Sequence, residues 1–121
     1  MKMNIQHAID NTTTEDKKIR VLVVDDEESI RFTLKTFLNA EGFEVIAAHD
    51  VYEACALFGN HEFDVAVIDR ILSEGQSGLD LIKFIKNKNI FCEAVLISAY
   101  PSFESAQESL RYETFAYLTK P

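Results

Sequence analysis

A chain of 121 residues can build one hydrophobic core but not two. Its composition, 47% hydrophobic and 26% charged, is that of an ordinary globular domain, and a net charge of −8 argues against a nucleic-acid surface, which needs a basic patch. No stretch approaches the roughly 20 apolar residues of a membrane span, and Met1–Asp16 lacks the apolar centre of a signal peptide, so no membrane association is expected and the expected location is cytoplasmic.

Residues 1–18 are polar and are predicted to be a flexible leader, or a short helix that ends before the fold begins, with the ordered domain starting at Ile19. Ile19–Val24 is a short β-branched run, as in a strand covered on both faces, and it delivers Asp25 and Asp26. Glu27–Glu41 carries Ile30, Leu34, Phe37 and Leu38 at helical spacing, with acids at its start and Gly42 at its end. Phe32 lies off that stripe, to be either an exposed docking patch or partly covered by a loop. Phe43, Val45 and Ala47 alternate like a strand, and Asp50 can cap a helix running to about Gly59 through Ala54, Leu57 and Phe58. Val65–Ile68, the central strand, runs out into Asp69.

The segment Arg70–Gly78 holds two of only four glycines and reads as a loop, followed by a helix to about Asn87 that turns Leu81, Ile82 and Ile85 inward. Strand Ala94–Ile97 delivers Ser98. Pro101-Ser102 starts a helix with Phe103, Ala106 and Leu110 on one face, and strand Thr114–Leu118 delivers Lys120. Cys55 and Cys92 stand far apart and are expected to be unpaired core or near-core residues. His7, His49 and His61 have no ligand-set spacing and are read as surface residues.

Five strands alternating with four helices predict an α/β domain, a parallel sheet with right-handed crossovers. A sheet of that kind is covered on both faces, so a fifth helix is expected beyond Pro121, and this chain should leave apolar surface bare beside the first and last strands. If the strands are adjacent, Asp25, Asp26, Asp69, Ser98 and Lys120 converge at one sheet edge. Taken singly, each has a plainer reading: a helix cap, a strand end, a buried hydroxyl, a solvated lysine. Jointly they point to chemistry.

Val21-Leu22-Val23-Val24-Asp25-Asp26-Glu27, Val67-Ile68-Asp69, Gly78-Leu79-Asp80-Leu81, Ser98-Ala99 and Tyr117-Leu118-Thr119-Lys120-Pro121 occur in the order of the receiver domain of two-component response regulators, which the chain resembles from Ile19 to Pro121. The resemblance implies a three-layer, doubly wound, flavodoxin-like fold with strand order 2-1-3-4-5. It implies Asp69 as phosphoacceptor, with Asp26, Asp69 and the Ile71 backbone carbonyl as Mg2+ ligands and Asp25 acting through water. Lys120 and Ser98 would contact the phosphoryl oxygens, and Ser98 with Tyr117 would form the switch. A histidine kinase or histidine phosphotransfer protein would donate the phosphoryl group, and an output domain or downstream protein would read the change. The domain would catalyse only its own phosphorylation and slow dephosphorylation. The ending at Lys120-Pro121 suggests a domain cut from a longer regulator or hybrid kinase.

Three departures from the family pattern stand out. Ser73 occupies a position where proline is common, and Gly78 arrives one residue late, so an insertion is expected to bulge the loop after the Ile71 carbonyl. Glu113-Thr114 replaces a small pair before the last strand, so homodimerisation is allowed but its usual geometry does not carry over. Ile71 and Tyr100, where the family tunes hydrolysis, are bulky and cannot orient water, which predicts a long-lived phosphorylated state. The alternative function is a receiver-like interaction module that takes no phosphate. A haloacid-dehalogenase-type hydrolase ranks below it, because Asp25-Asp26-Glu27-Glu28 lacks the Asp-x-Asp spacing. A nucleotide-binding fold lacks its glycine-rich loop.

Overall fold

The structure, a computed structural model, describes residues 17–121; the leader expected over residues 1–18 falls almost wholly outside them, as does His7. Strands and helices alternate: β1 Arg20–Val24, α1 Glu28–Ala40, β2 Glu44–Ala48, α2 Val51–Asn60, β3 Val65–Asp69, α3 Gly78–Lys88, β4 Glu93–Ser98, α4 Phe103–Leu110 and β5 Ala116–Thr119. The strands pair in parallel in the order β2-β1-β3-β4-β5, as expected. β3 is central because its alternating residues are apolar on both sides, the requirement for a strand between two layers of helix.

One face carries the main core. Leu22, Val24, Ala66, Ile68, Ala94 and Leu96 of the sheet meet Ala54 of α2 and Leu81, Ile82 and Ile85 of α3, with Phe63 sealing the lower end. Each fully buried side chain of this size contributes about 1.5–3 kcal/mol, so this layer holds the strand ends in place. Asp50 caps α2 through the Glu53 N–H at 2.8 Å, and Ser77 caps α3 through the Leu79 N–H at 3.1 Å.

On the opposite face, among the described residues, α1 is the only helix, and its Leu34 and Leu38 pack on Val21, Val23 and Val45. Phe37, predicted to share that stripe, is 59% exposed at its margin, where among the described residues no second helix meets it. Val65, Val67, Val95 and Ala116 are half-buried and Leu118 is 53% exposed, so the apolar surface expected beside the last strand is present; beside the first strand it is not, because α1 covers Val21 and Val23. Phe32 is 70% exposed, which removes its burial under a loop.

Helix α4 exists where predicted but buries a different face. Phe103 and Leu110 are 77% and 73% exposed, while Ser105 and Ser109 turn inward at 5% and 2%. The reason is local hydrogen bonding. Ser102 and Ser105 form a reciprocal capping box, and the Ser105 hydroxyl lies 2.6 Å from the Tyr117 hydroxyl. Ser109 donates to the Ala106 carbonyl at 2.7 Å. Small hydroxyls satisfied in this way can be buried without cost, and they outweigh the apolar periodicity. β5 also starts later than predicted, because Glu113 takes a left-handed turn (φ 59°) and pairing begins only with Phe115. Cys55 is half-buried and Cys92 fully buried; both are unpaired, and burial pushes the Cys92 thiol up to about 11.

Candidate functional site

Four strand ends build the site. β1 runs into Asp25 and Asp26, β3 ends in Asp69, β4 ends in Ser98, and Lys120 follows β5 with its N–H on the Ser98 carbonyl at 2.9 Å. Asp25 is fully buried and Asp69 is 4% exposed, whereas Asp26 lies open to solvent. Carboxylate oxygens of the three lie within 4.8 Å of one another. The Asp25 carboxylate accepts the Glu27 N–H at 2.8 Å, and Arg31 donates to the Asp25 carbonyl at 2.7 Å, so the first turn of α1 fixes the β1 end.

The ammonium of Lys120 sits at the centre, 3.0 Å from Asp25 Oδ2, 3.1 Å from Asp69 Oδ2 and 2.8 Å from Glu27 Oε1. Its side chain is only 9% exposed. The sequence reading assigned Glu27 only a favourable charge at a helix start, and it did not anticipate the roles of Glu27 or Arg31 here. The Ser98 hydroxyl accepts the Tyr100 N–H at 3.1 Å, and among the described residues its own proton has no acceptor. Tyr117 lies beside Leu96 on the main-core face, held by Ser105.

Burial is the first cause of the acids' state. It raises the Asp25 carboxyl above its ordinary 3.8, against the Glu27 N–H and Lys120. Burial likewise raises Asp69, against Lys120, with the Asp25 charge adding to the rise. Repulsion between the carboxylates is thus secondary. For Lys120, burial disfavours the charge, but Glu27, Asp25 and Asp69 outweigh it and raise its pKa.

Carboxyls raised in the folded state bind protons more tightly there than in the unfolded chain. Metal-free stability should therefore fall as pH rises from near 3.8 through the raised values. Asp25→Asn keeps the shape and leaves Lys120 its other two partners. It is expected to flatten that fall and to gain about 1 kcal/mol near neutral pH in the presence of chelator. Urea midpoints across pH check this, and an unchanged slope would refute it.

These residues fit a divalent cation. Asp25 Oδ2 is buried and, despite the nearby ammonium, receives no aligned hydrogen-bond donor. The donor set is all oxygen, as hard cations prefer. Ile71 pairs with Ser77 in an antiparallel bridge, flanked by the Gly78 N–H on the Arg70 carbonyl and the Leu72 N–H on the Gln76 carbonyl, both at 2.9 Å. The Ile71 carbonyl is therefore left without a donor among the described residues. The loop after Asp69 forms a 3-10 turn, Ser73–Gly75, where Glu74 and Gly75 take positive φ and buried Leu72 anchors the base. The Ile71–Ser77 bridge closes that turn off from Asp69. A cavity of about 290 Å³ opens over Asp69, bounded by Asp26, Ser98 and Lys120 and also by Arg70, Ile71 and Tyr100.

Residues 21–121 match the family model for the response regulator receiver domain. The chain is 35% identical over 102 residues to the response regulator protein PilR of Pseudomonas aeruginosa, covering 84% of this chain and 23% of that protein. It is 33% identical over 102 residues to the regulatory protein AtoC of Escherichia coli, covering 84% and 22%. The chain thus spans roughly a quarter of the length of these curated relatives. Among solved structures, the Vibrio cholerae chemotaxis protein CheY4 is similar with a TM-score of 0.82 at 29% identity, covering 87% of this chain and 88% of that one. A response regulator from Burkholderia pseudomallei, solved with a phosphorylated aspartic acid, a calcium ion and citrate, gives 0.80 at 30% identity, covering 86% and 61%.

Proposed function

The chain belongs to the response regulator receiver domain family, and on that premise we propose that it is a phosphorylation switch whose phosphoacceptor is Asp69. The observation that carries this reading is the meeting of a buried carboxylate with two further acids and a buried ammonium under a cavity large enough for a phosphoryl group. An Asp69 oxygen forms a bond to phosphorus as the bond from phosphorus to the donor's imidazole nitrogen breaks, the electron pair leaving on nitrogen. Lys120 lies where it can meet the charge on the phosphoryl oxygens, and the Ser98 hydroxyl has a proton to donate to one of them. Asp26, Asp69 and the Ile71 carbonyl would hold Mg2+ directly and Asp25 through water; when bound, Mg2+ supplies positive charge against the same oxygens. The phosphorylated aspartic acid and calcium ion of the Burkholderia relative support this assignment.

Ser98 moving toward the phosphoryl group would vacate space for Tyr117 to turn inward, at the expense of its 2.6 Å hydrogen bond to Ser105. Two conformers exchanged by one local charge event are what a partner can read. The donor is a histidine kinase or phosphotransfer protein, the reader an output domain or downstream protein, and the setting the cytoplasm. Among the described residues, no helix is long and apolar enough to cross a membrane. The interaction-module alternative rested on the altered loop; that loop is closed in the Ser73–Gly75 turn by the Ile71–Ser77 bridge, which supports the switch reading over it.

Intact mass after incubation with a small phosphodonor and Mg2+ tests the reading. One phosphoryl adduct is expected, lost completely in Asp69→Ala and in chelator; no adduct on the folded wild type would overturn it. The lifetime of the adduct is a separate expectation. Ile71 and Tyr100, exposed by 58% and 86% at the cavity rim, offer no acid or amide to orient water. Decay over minutes or longer is expected, and a half-life of seconds with Mg2+ would contradict it.

A further inference from the structure

Arg70 is a cation of the site cavity that the mechanism above does not use. It directly follows Asp69, and its backbone is clamped, donating to the Ile97 carbonyl at 2.8 Å and accepting from the Gly78 N–H at 2.9 Å. Its side chain therefore starts from a fixed point on the cavity wall, beside Asp69, Ser98 and Lys120. The residue is half-buried and its Nε is sealed from solvent with no hydrogen-bond partner. Among the described residues it forms no ion pair, although four carboxylates, Asp25, Asp26, Glu27 and Asp69, belong to the same site. Lys120, in contrast, is already engaged by three of them.

A buried guanidinium donor left unmade is costly unless a partner arrives. Phosphoryl transfer brings one. Asp69 passes from a carboxylate with one negative charge to an acyl phosphate with two, presenting oxygens that a planar guanidinium fork matches better than an ammonium does. We propose that Arg70 is a phosphoryl-binding residue, a second cationic donor that engages the phosphoryl oxygens on Asp69 and so favours the phosphorylated state. This rests on the phosphoacceptor reading of Asp69.

The test is calorimetric titration of the whole chain with beryllofluoride, a stable phosphoryl mimic, at saturating Mg2+, beside titration with Mg2+ alone. Arg70→Leu is expected to weaken beryllofluoride binding about tenfold, a ratio equal to about 1.4 kcal/mol. Mg2+ affinity in the same variant should be unchanged or tighter, because a positive charge beside a cation site has been removed. Arg70→Lys should recover part of the loss, as a point charge without the fork. If Arg70→Leu fails to fold, Arg70→Gln carries the same comparison. Unchanged beryllofluoride affinity, or a parallel loss of Mg2+ affinity, would overturn the proposal and leave Arg70 a structural role. A wild type that binds no beryllofluoride and takes no phosphoryl group would overturn the phosphoacceptor reading and this proposal with it.

Discussion

Gly78→Ala is expected to lower stability by about 1–3 kcal/mol and to slow phosphoryl acceptance at Asp69 by tenfold or more, although the residue holds no polar group of the site. A Cβ at this position would overlap the Asp69 carbonyl oxygen and come within 3.0 Å of the Asp69 carbonyl carbon and of Ile68 Cγ2. Conformation is not the issue, since Gly78 lies in ordinary helical geometry at the start of α3. Space is. The helix begins against the strand end, pinned by its own N–H on the Arg70 carbonyl. The backbone that must yield is the one that aims the Asp69 carboxylate, so relief at Gly78 is felt at the site, where a displacement of 1 Å can cost on the order of a hundredfold in rate. Urea midpoints and the rate of adduct formation read the two effects. Wild-type values for both would show that the close approach is not a constraint.

Lys120→Ala should give the largest loss of stability, about 3–5 kcal/mol near neutral pH in chelator, from breaking a buried ion pair on one side only. That is comparable with the whole stability of a small domain. Asp25 and Asp69 would remain buried without a cation, and Glu27, exposed, would simply turn to solvent. Stranded carboxyls can escape by taking protons, so the loss should shrink as pH falls and grow as pH rises. Mg2+ should return part of it, since a ligand bound only by the folded state stabilises by about 2.7 kcal/mol at a hundred times its dissociation constant. Urea midpoints at two pH values, with and without Mg2+, separate these contributions. A loss equal at both pH values would mean that Lys120 acts through packing rather than charge.

What could be read from the chain was whatever depends on neighbours in sequence. Apolar runs of β-branched residues mark β1, β3 and β4 because a strand covered on both faces needs nothing else. Asp50 and Ser102 mark helix starts because a cap acts within three residues. Strand ends in a parallel sheet share one edge, so Asp25, Asp26, Asp69, Ser98 and Lys120 could be assembled from order alone. Apolar spacing failed at α4, where Ser105 and Ser109 face inward. A hydroxyl is polar only until it finds a partner, and Ser105 finds one in Tyr117, twelve residues away.

The amino-acid sequence by itself determined the parallel sheet and which side chains reach its carboxyl edge, because periodicity, caps and connection handedness are local or topological. Tertiary structure alone decided how those side chains are shared. Lys120 divides itself among Asp25, Glu27 and Asp69, a pairing that spans 93 residues in the case of Glu27. Gly78 is a glycine because a backbone distant by nine positions passes against it. Arg70 lines the cavity with a donor unmade. Distances of that kind follow from the packing of separate elements on one another, and no spacing along the chain encodes them.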